Sequence, residues 1–159
     1  MAVAKSRVVV TQFCDDIRHE LGNKFSLMGC YLGGELIIDK LPAALPRLCA
    51  QVTAVAPLDQ PFEKLTLQAT LNDETIAVLS ISEEMLSQAK DVLKGAPAGA
   101  TNLKAVAFLV FSPLYIEKTS VLKIKAETED GELSGGLITL RERTADDPQF
   151  VHPALGRSS

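Results

Sequence analysis

The chain has 159 residues, of which 47% are hydrophobic and 23% charged, as expected for a single globular domain. Its net charge of −4 at pH 7 and its lack of any basic run argue against binding to the phosphate backbone of nucleic acids. No apolar run approaches the roughly 18–20 residues of a membrane span, so we expect neither nucleic acid nor a membrane as partner.

The cysteines indicate a reducing environment. Cys14, Cys30 and Cys49 are odd in number and so do not suggest a disulfide framework. Each lies in an apolar run, where a free cysteine is usually a small buried side chain. The apolar run within residues 1–10 is too short for a signal peptide. These features predict a cytoplasmic protein.

The first predicted element is a hairpin of two long strands. Residues 6–20 start with β-branched side chains, and residues 25–32 form the returning apolar run. Gly22 and Asn23 suit a two-residue turn because both tolerate positive φ values.

That turn predicts the register of the hairpin. Asp16 would face Gly29, and Cys14 would face Tyr31. Cys14 and Cys30 would then lie on opposite faces of the hairpin, so we expect no disulfide bond between them.

A second hairpin and a helix follow in the middle of the chain. Residues 62–71 alternate between apolar and polar side chains, and residues 75–81 return after an Asn-Asp turn. Ser82 is a good N-cap, and the apolar spacing after it predicts a helix over residues 82–94.

The last predicted strands lie after the helix. Residues 103–111 are apolar on both faces, which is typical of a central strand covered on both sides. Residues 120–128 alternate and turn back into residues 132–143, where a Gly-Gly pair predicts a β-bulge.

Together these elements predict an all-β fold, an antiparallel β-sandwich of about eight or nine strands with one inserted helix at about 82–94. Residues 1–143 would form the sandwich domain. Residues 144–159 contain two prolines and no periodicity, which predicts a C-terminal tail that is either disordered or docked on a partner. His152, in that tail, is expected to be solvated.

The one chemically unusual feature is a group of charged residues in the first hairpin: Asp15, Asp16, Arg18, His19 and Glu20. On a strand, Asp16, Arg18 and Glu20 share one face. We interpret the group as structural, with the Arg18 guanidinium donating to both carboxylates and neutralising most of their charge. This interpretation assigns no catalytic residue, no cofactor and no metal ligand.

A second interpretation makes the same residues an active site. On a helix, Asp15, Asp16, His19 and Glu20 would crowd one face and resemble a carboxylate–imidazole metal site or an acid/base pair. Arg18 would repel a cation at that position, and the neighbouring runs have the composition of strands.

The same stretch resembles the opening motif of an uncharacterised family of bacterial and phage-associated proteins. The resemblance rests on Cys-Asp-Asp-Ile-Arg at residues 14–18, on Glu20, and on residues 23–29, which end in Ser-Leu-Met-Gly. Members of that family tend to be single β-sandwich domains of about this length. The resemblance implies the fold and supplies no activity or catalytic residues.

The sequence therefore leaves two functions open. The first is a non-enzymatic interaction or assembly module, a phage or mobile-element structural or accessory protein that binds a protein partner or self-associates. The second is a metal-dependent or acid/base enzyme centred on the charged hairpin. A Ca²⁺-binding sandwich is less favoured because Asp59, Asp73 and Asp130 are scattered singly over loops.

Overall fold

The structure is a computed structural model that describes residues 6–147. Within this range the chain forms eleven strands and one helix. The strands are β1 (Val8–Glu20), β2 (Lys24–Cys30), β3 (Glu35–Ile38), β4 (Ala43–Leu45), β5 (Leu48–Pro57), β6 (Leu65–Leu71), β7 (Glu74–Ile81), β8 (Asn102–Phe111), β9 (Leu114–Ile116), β10 (Ser120–Thr128) and β11 (Gly131–Glu142), and the helix is α1 (Glu83–Leu93).

Two sheets form the sandwich and confirm the predicted all-β class with one helix. Sheet A has the strand order β2-β1-β5-β8 and is antiparallel throughout. Sheet B has the order β3-β11-β10-β6-β7, in which β3 runs parallel to β11. The short strands β4 and β9 pair separately.

The core lies between the inner faces of these sheets. In β5 the residues at alternate positions from Leu48 to Ala56 are buried, and in β10 Leu122, Ile124 and Ala126 are buried. Their period of two places one apolar row of each strand in the interior. The core is therefore mainly aliphatic, as the low aromatic content predicts.

Local turn and capping chemistry forms as predicted. Asn72 and Asp73 have φ values of 50° and 68°, which suit the tight turn between β6 and β7. The Ser82 hydroxyl accepts a hydrogen bond of 3.2 Å from the Met85 N–H and caps α1.

The prediction for residues 103–111 is wrong in one respect. They form β8, but β8 is an edge strand of sheet A and not a central one. Its outward side chains Val106 and Val110 are 46% and 48% exposed. An apolar run on both faces indicated a buried strand, whereas one of those faces is open.

The predicted register of the first hairpin is also wrong, by one residue. Glu20 pairs with Lys24, so the connection has three residues, and Gly22 and Asn23 within it have positive φ values. As a result Asp16 faces Met28, and Cys14 faces Cys30. The reason given for excluding a bond between these two cysteines therefore does not hold.

The beginning of the predicted tail contacts the sandwich. The Asp147 carboxylate lies 2.6 Å from the Arg141 guanidinium of β11 and accepts the Thr144 N–H at 2.6 Å. Residues 148–159, including His152, lie outside the described residues, so the prediction of a disordered or docked tail stays a prediction.

Candidate functional site: the charged hairpin and the outer face of sheet A

Asp15 is held by the neighbouring strand. Its carboxylate accepts a hydrogen bond from the Tyr31 hydroxyl and lies over Gly29. A Cβ atom on Gly29 would fall 2.2 Å from Asp15 Oδ2, and Gly29 has a φ of 65°. Burial, followed by the hydrogen bond to Asp15, raises the pKa of Tyr31, so its hydroxyl stays protonated and donates.

The other two carboxylates have partners of their own. Asp16 pairs with Arg47 at 3.3 Å, and Glu20 accepts a hydrogen bond of 2.8 Å from the Ser26 hydroxyl. Arg18 is exposed and forms no ion pair within residues 6–147. The predicted arrangement, with Arg18 neutralising Asp16 and Glu20, is therefore wrong. Exposed carboxylates are solvated by water and do not require such a partner.

His19 has a packing role on the outer face of sheet A. The His19 and Phe25 rings each pack in a T-shaped arrangement with the Phe108 ring, with centroid distances of 5.3 Å and 5.0 Å. Phe108 belongs to β8, and β5 separates β8 from β1 in the sheet. The hairpin formed by β1 and β2 therefore bends across the outer side of β5.

This geometry does not assemble the alternative active site. The segment is a strand and not a helix, so Asp15, Asp16, His19 and Glu20 have separate surroundings. Within residues 6–147, no group of three or more His, Cys, Asp or Glu side chains is placed to hold a metal ion.

Two of the loop aspartates considered as a Ca²⁺ site form separate ion pairs. Asp130 pairs with Arg7 at 2.7 Å, and Asp73 pairs with Lys123 at 2.9 Å. Each is thus neutralised by a different cation in a different part of sheet B.

The bend of the hairpin buries two thiols. The Cys14 thiol donates to the Asp16 carbonyl oxygen at 3.5 Å, and the Cys49 thiol donates to the Asp15 carbonyl oxygen at 3.7 Å. Both cysteines are buried, whereas Cys30 is exposed, and all three are free. Burial, followed by the proximity of Cys49 and Cys30, raises the pKa of Cys14 to about 11.

Much of the rest of the outer face of sheet A is apolar and exposed, although Gln12 and Gln51 also lie on it, and the sequence did not predict this surface. The strand registers align its side chains in rows across β1, β5 and β8. We call this surface the valine face, and it consists of Val8, Val10, Thr53, Val55, Lys104, Val106 and Val110. Val8 and Val10 are 42% and 59% exposed. The available signal was consecutive valines in the first strand, where a half-solvated sheet would alternate with polar residues.

Comparison with known proteins adds no relative. No family model matches the chain, and searches of curated proteins and of solved structures return no match. No helix within the described range is long and apolar enough to cross a membrane.

Proposed function

We propose that the protein is a non-enzymatic assembly module that associates with a second copy of itself through the valine face. The observation that carries this proposal is the exposure of four valines on one sheet face, from 42% at Val8 to 59% at Val10. Val8, Val10 and Val106 lie in two neighbouring rows of the register, and contiguous exposed apolar surface marks interaction sites in soluble proteins.

The charge of the valine face favours a second copy as the partner. Lys104 is its one charged side chain, and it stands in the row of Val8 and Val55 at one end of the face. The centres of protein interfaces are depleted of charge because each buried charge must be desolvated. Two valine faces can therefore stack with few charges to desolvate, as two sheets of a sandwich do at about 10 Å.

Part of the valine face is open to solvent. Val8, Val10 and Val106 are 42%, 59% and 46% exposed. The hairpin covers the face near Phe108, through His19 and Phe25, and near Cys49, through the Asp15 carbonyl oxygen. The end bearing Val10 and Val106 is left open to a partner.

The resemblance of residues 14–29 to a phage-associated family supports a role as a structural or accessory protein of a phage or mobile element. On that basis we propose that the assembly acts in the cytoplasm or in the virion. The dispersal of Asp15, Asp16, His19 and Glu20 among separate contacts supports a non-enzymatic role over the alternative enzyme.

Mass in solution tests the proposal. Light scattering across a concentration series should give a dimer for the wild type, and Val106→Asp should shift it to a monomer. Val78→Asp is the matched control, because Val78 is 57% exposed on β7 of sheet B. It should leave the dimer intact.

Three outcomes would contradict the proposal. They are a wild-type monomer at every concentration, an equal effect of the two aspartates, and loss of the dimer in a chain that ends at Asp147. The last outcome would assign association to the tail. Thermal melts of each variant confirm that the change in mass is not caused by unfolding.

A further inference from the structure

The three cysteines form one row across three neighbouring strands. Cys14 of β1 is the register partner of Cys30 in β2 and of Cys49 in β5. The side chains of register partners lie on the same face of a sheet, so both neighbours are candidates to bond with Cys14.

Backbone hydrogen bonds distinguish the two pairs. The Tyr31 N–H donates to the Phe13 carbonyl oxygen at 3.0 Å, so the backbone N–H and C=O groups of Phe13 point towards β2. Successive residues of a strand point their backbone N–H and C=O groups towards opposite neighbouring strands, so those of Cys14 point towards β5. Cys14 and Cys30 thus form a non-hydrogen-bonded pair, and Cys14 and Cys49 a hydrogen-bonded pair.

This difference favours a bond between Cys14 and Cys30. In non-hydrogen-bonded pairs the Cα atoms are about 4.5 Å apart and the side chains are closer than in hydrogen-bonded pairs. That Cα separation lies within the range of about 4.4–6.8 Å that disulfides require.

Solvent access differs along the row. Cys30 is exposed, whereas Cys14 and Cys49 have 0% exposure. A reagent in solution therefore meets Cys30 first, and Cys14 lies beside it on the neighbouring strand as a second thiol.

We propose that Cys30 and Cys14 form a thiol–disulfide exchange site for small-molecule disulfides of the glutathione class, a role that goes beyond self-association. The Cys30 thiolate attacks one sulfur of the disulfide, forms a mixed disulfide and releases one small thiolate. The Cys14 thiolate then attacks Cys30 Sγ, the mixed disulfide breaks, and the second small thiolate leaves.

The step balances in atoms and electrons. Two protein thiols lose two electrons and two protons and become the Cys14–Cys30 bond, while one disulfide becomes two small thiols. The protons from Cys30 and Cys14 pass through solvent to the two leaving thiolates. No further oxidant is needed.

Closure of the bond is the slower step near neutral pH. The groups that face the Cys14 thiol are Cys49 from β5, Cys30 from β2, Tyr31 directly after β2, and Asp15 and Asp16 from its own strand. All of them are neutral or negative, and together with burial they oppose the thiolate of Cys14. The mixed disulfide at Cys30 should therefore accumulate at pH 7, and closure should accelerate by about tenfold per pH unit below the Cys14 pKa.

Intact mass and peptide mapping test the site in the full chain. With oxidised glutathione at pH 7, the wild type should gain one glutathione on Cys30. At pH 9 that adduct should be lost, leaving a chain lighter by two hydrogens with a Cys14–Cys30 peptide. Cys30→Ser should abolish both products, Cys14→Ala should retain the adduct at both pH values, and Cys49→Ala should behave as the wild type.

Several results would overturn the proposal. A disulfide that includes Cys49 would refute the choice of pair. A wild-type adduct that persists at pH 9 would refute Cys14 as the second thiol. Modification of Cys14 or Cys49 before Cys30 would refute the order of access. Each of these outcomes can be read on the wild-type protein, so none depends on a variant that fails to fold.

Discussion

The Arg7 side chain is 14% exposed and connects three segments of the sandwich. It pairs with Glu129 at 2.5 Å and donates to the carbonyl oxygens of Gln60 and Pro61. Its guanidinium also stacks on Phe62, 5.1 Å from the ring centroid. The start of β1 is thereby held against the loop after β5 and the turn after β10.

Replacing Arg7 with Ala should therefore lower the free energy of unfolding by about 1–3 kcal/mol, because Glu129 loses its charged partner and keeps the backbone N–H donors of Glu63 and Lys64. Arg18→Ala is the control, since Arg18 is exposed and has no ion pair within residues 6–147. It should change the free energy by less than about 0.5 kcal/mol. Urea unfolding measures both, and an equal or larger cost at Arg18 would refute this assignment of roles.

Sequence alone separates these two arginines poorly. Arg18 stands between carboxylates along the chain, yet alternate residues of a strand are about 7 Å apart. Asp16 and Glu20 are contacted instead by Arg47 and Ser26. Arg7 precedes a valine run with no acid near it in sequence, and its carboxylate partners come from more than 100 positions later. Sequence distance thus gives little guidance to charge pairing in a β fold.

At the scale of elements, the Gly-Gly bulge of β11 lets the two sheets approach. The register of β10 and β11 shifts at this point, as the sequence predicts. A Cβ atom on Gly135 would lie 3.0 Å from the Ile124 carbonyl oxygen and 3.1 Å from Val9 Cγ1. The absence of a side chain at Gly135 therefore allows sheet B to contact β1 of sheet A.

Gly135→Ala should destabilise the protein by about 1–3 kcal/mol, the usual cost of overpacking a core. The backbone oxygen on one side and Val9 on the other leave little room for relaxation. Gly33→Ala is the matched control, because no atom lies within 4 Å of a Cβ atom at that position. In thermal denaturation, Gly135→Ala should have a clearly lower melting temperature than Gly33→Ala. Equal melting temperatures would contradict close packing at the bulge.

At the scale of the whole molecule, an ion-pair network holds the last described residues. Arg141 of β11 contacts Asp147 at 2.6 Å and Glu35 of β3 at 3.1 Å. Hydrogen bonds from Arg141 and from the Thr144 backbone hold the pKa of Asp147 well below its usual range. The chain after β11 is thereby attached to the edge of sheet B.

The contribution of Asp147 to stability should depend on pH. Because its folded pKa is depressed, the contribution is complete above the unfolded aspartate pKa of about 4 and is lost as pH falls through the folded value. Asp147→Asn should therefore be less stable than wild type at pH 6, and the difference should shrink on acidification below pH 4. Asp59→Asn, at an exposed loop position, is the control and should match wild type throughout. A difference at Asp147 that is independent of pH would contradict the role of its charge.

The sequence by itself determined the features that depend on neighbours along the chain. Alternating side chains, the Asn-Asp turn, the Ser82 cap and the glycine bulge specify strands, a hairpin and one helix, and together these indicated an all-β sandwich. Each follows from local backbone preference or from the period-two geometry of a strand.

Only the tertiary structure decided what depends on residues far apart in the chain. It placed β8 at an edge, left the valine face open, separated the acidic residues of the hairpin, and aligned Cys30, Cys14 and Cys49 in one row. A single residue more in the first turn changed which side chains face each other, because register sets every cross-strand pair at once. Strand order and register arise from pairing and packing across the whole fold, and local sequence does not encode them separately.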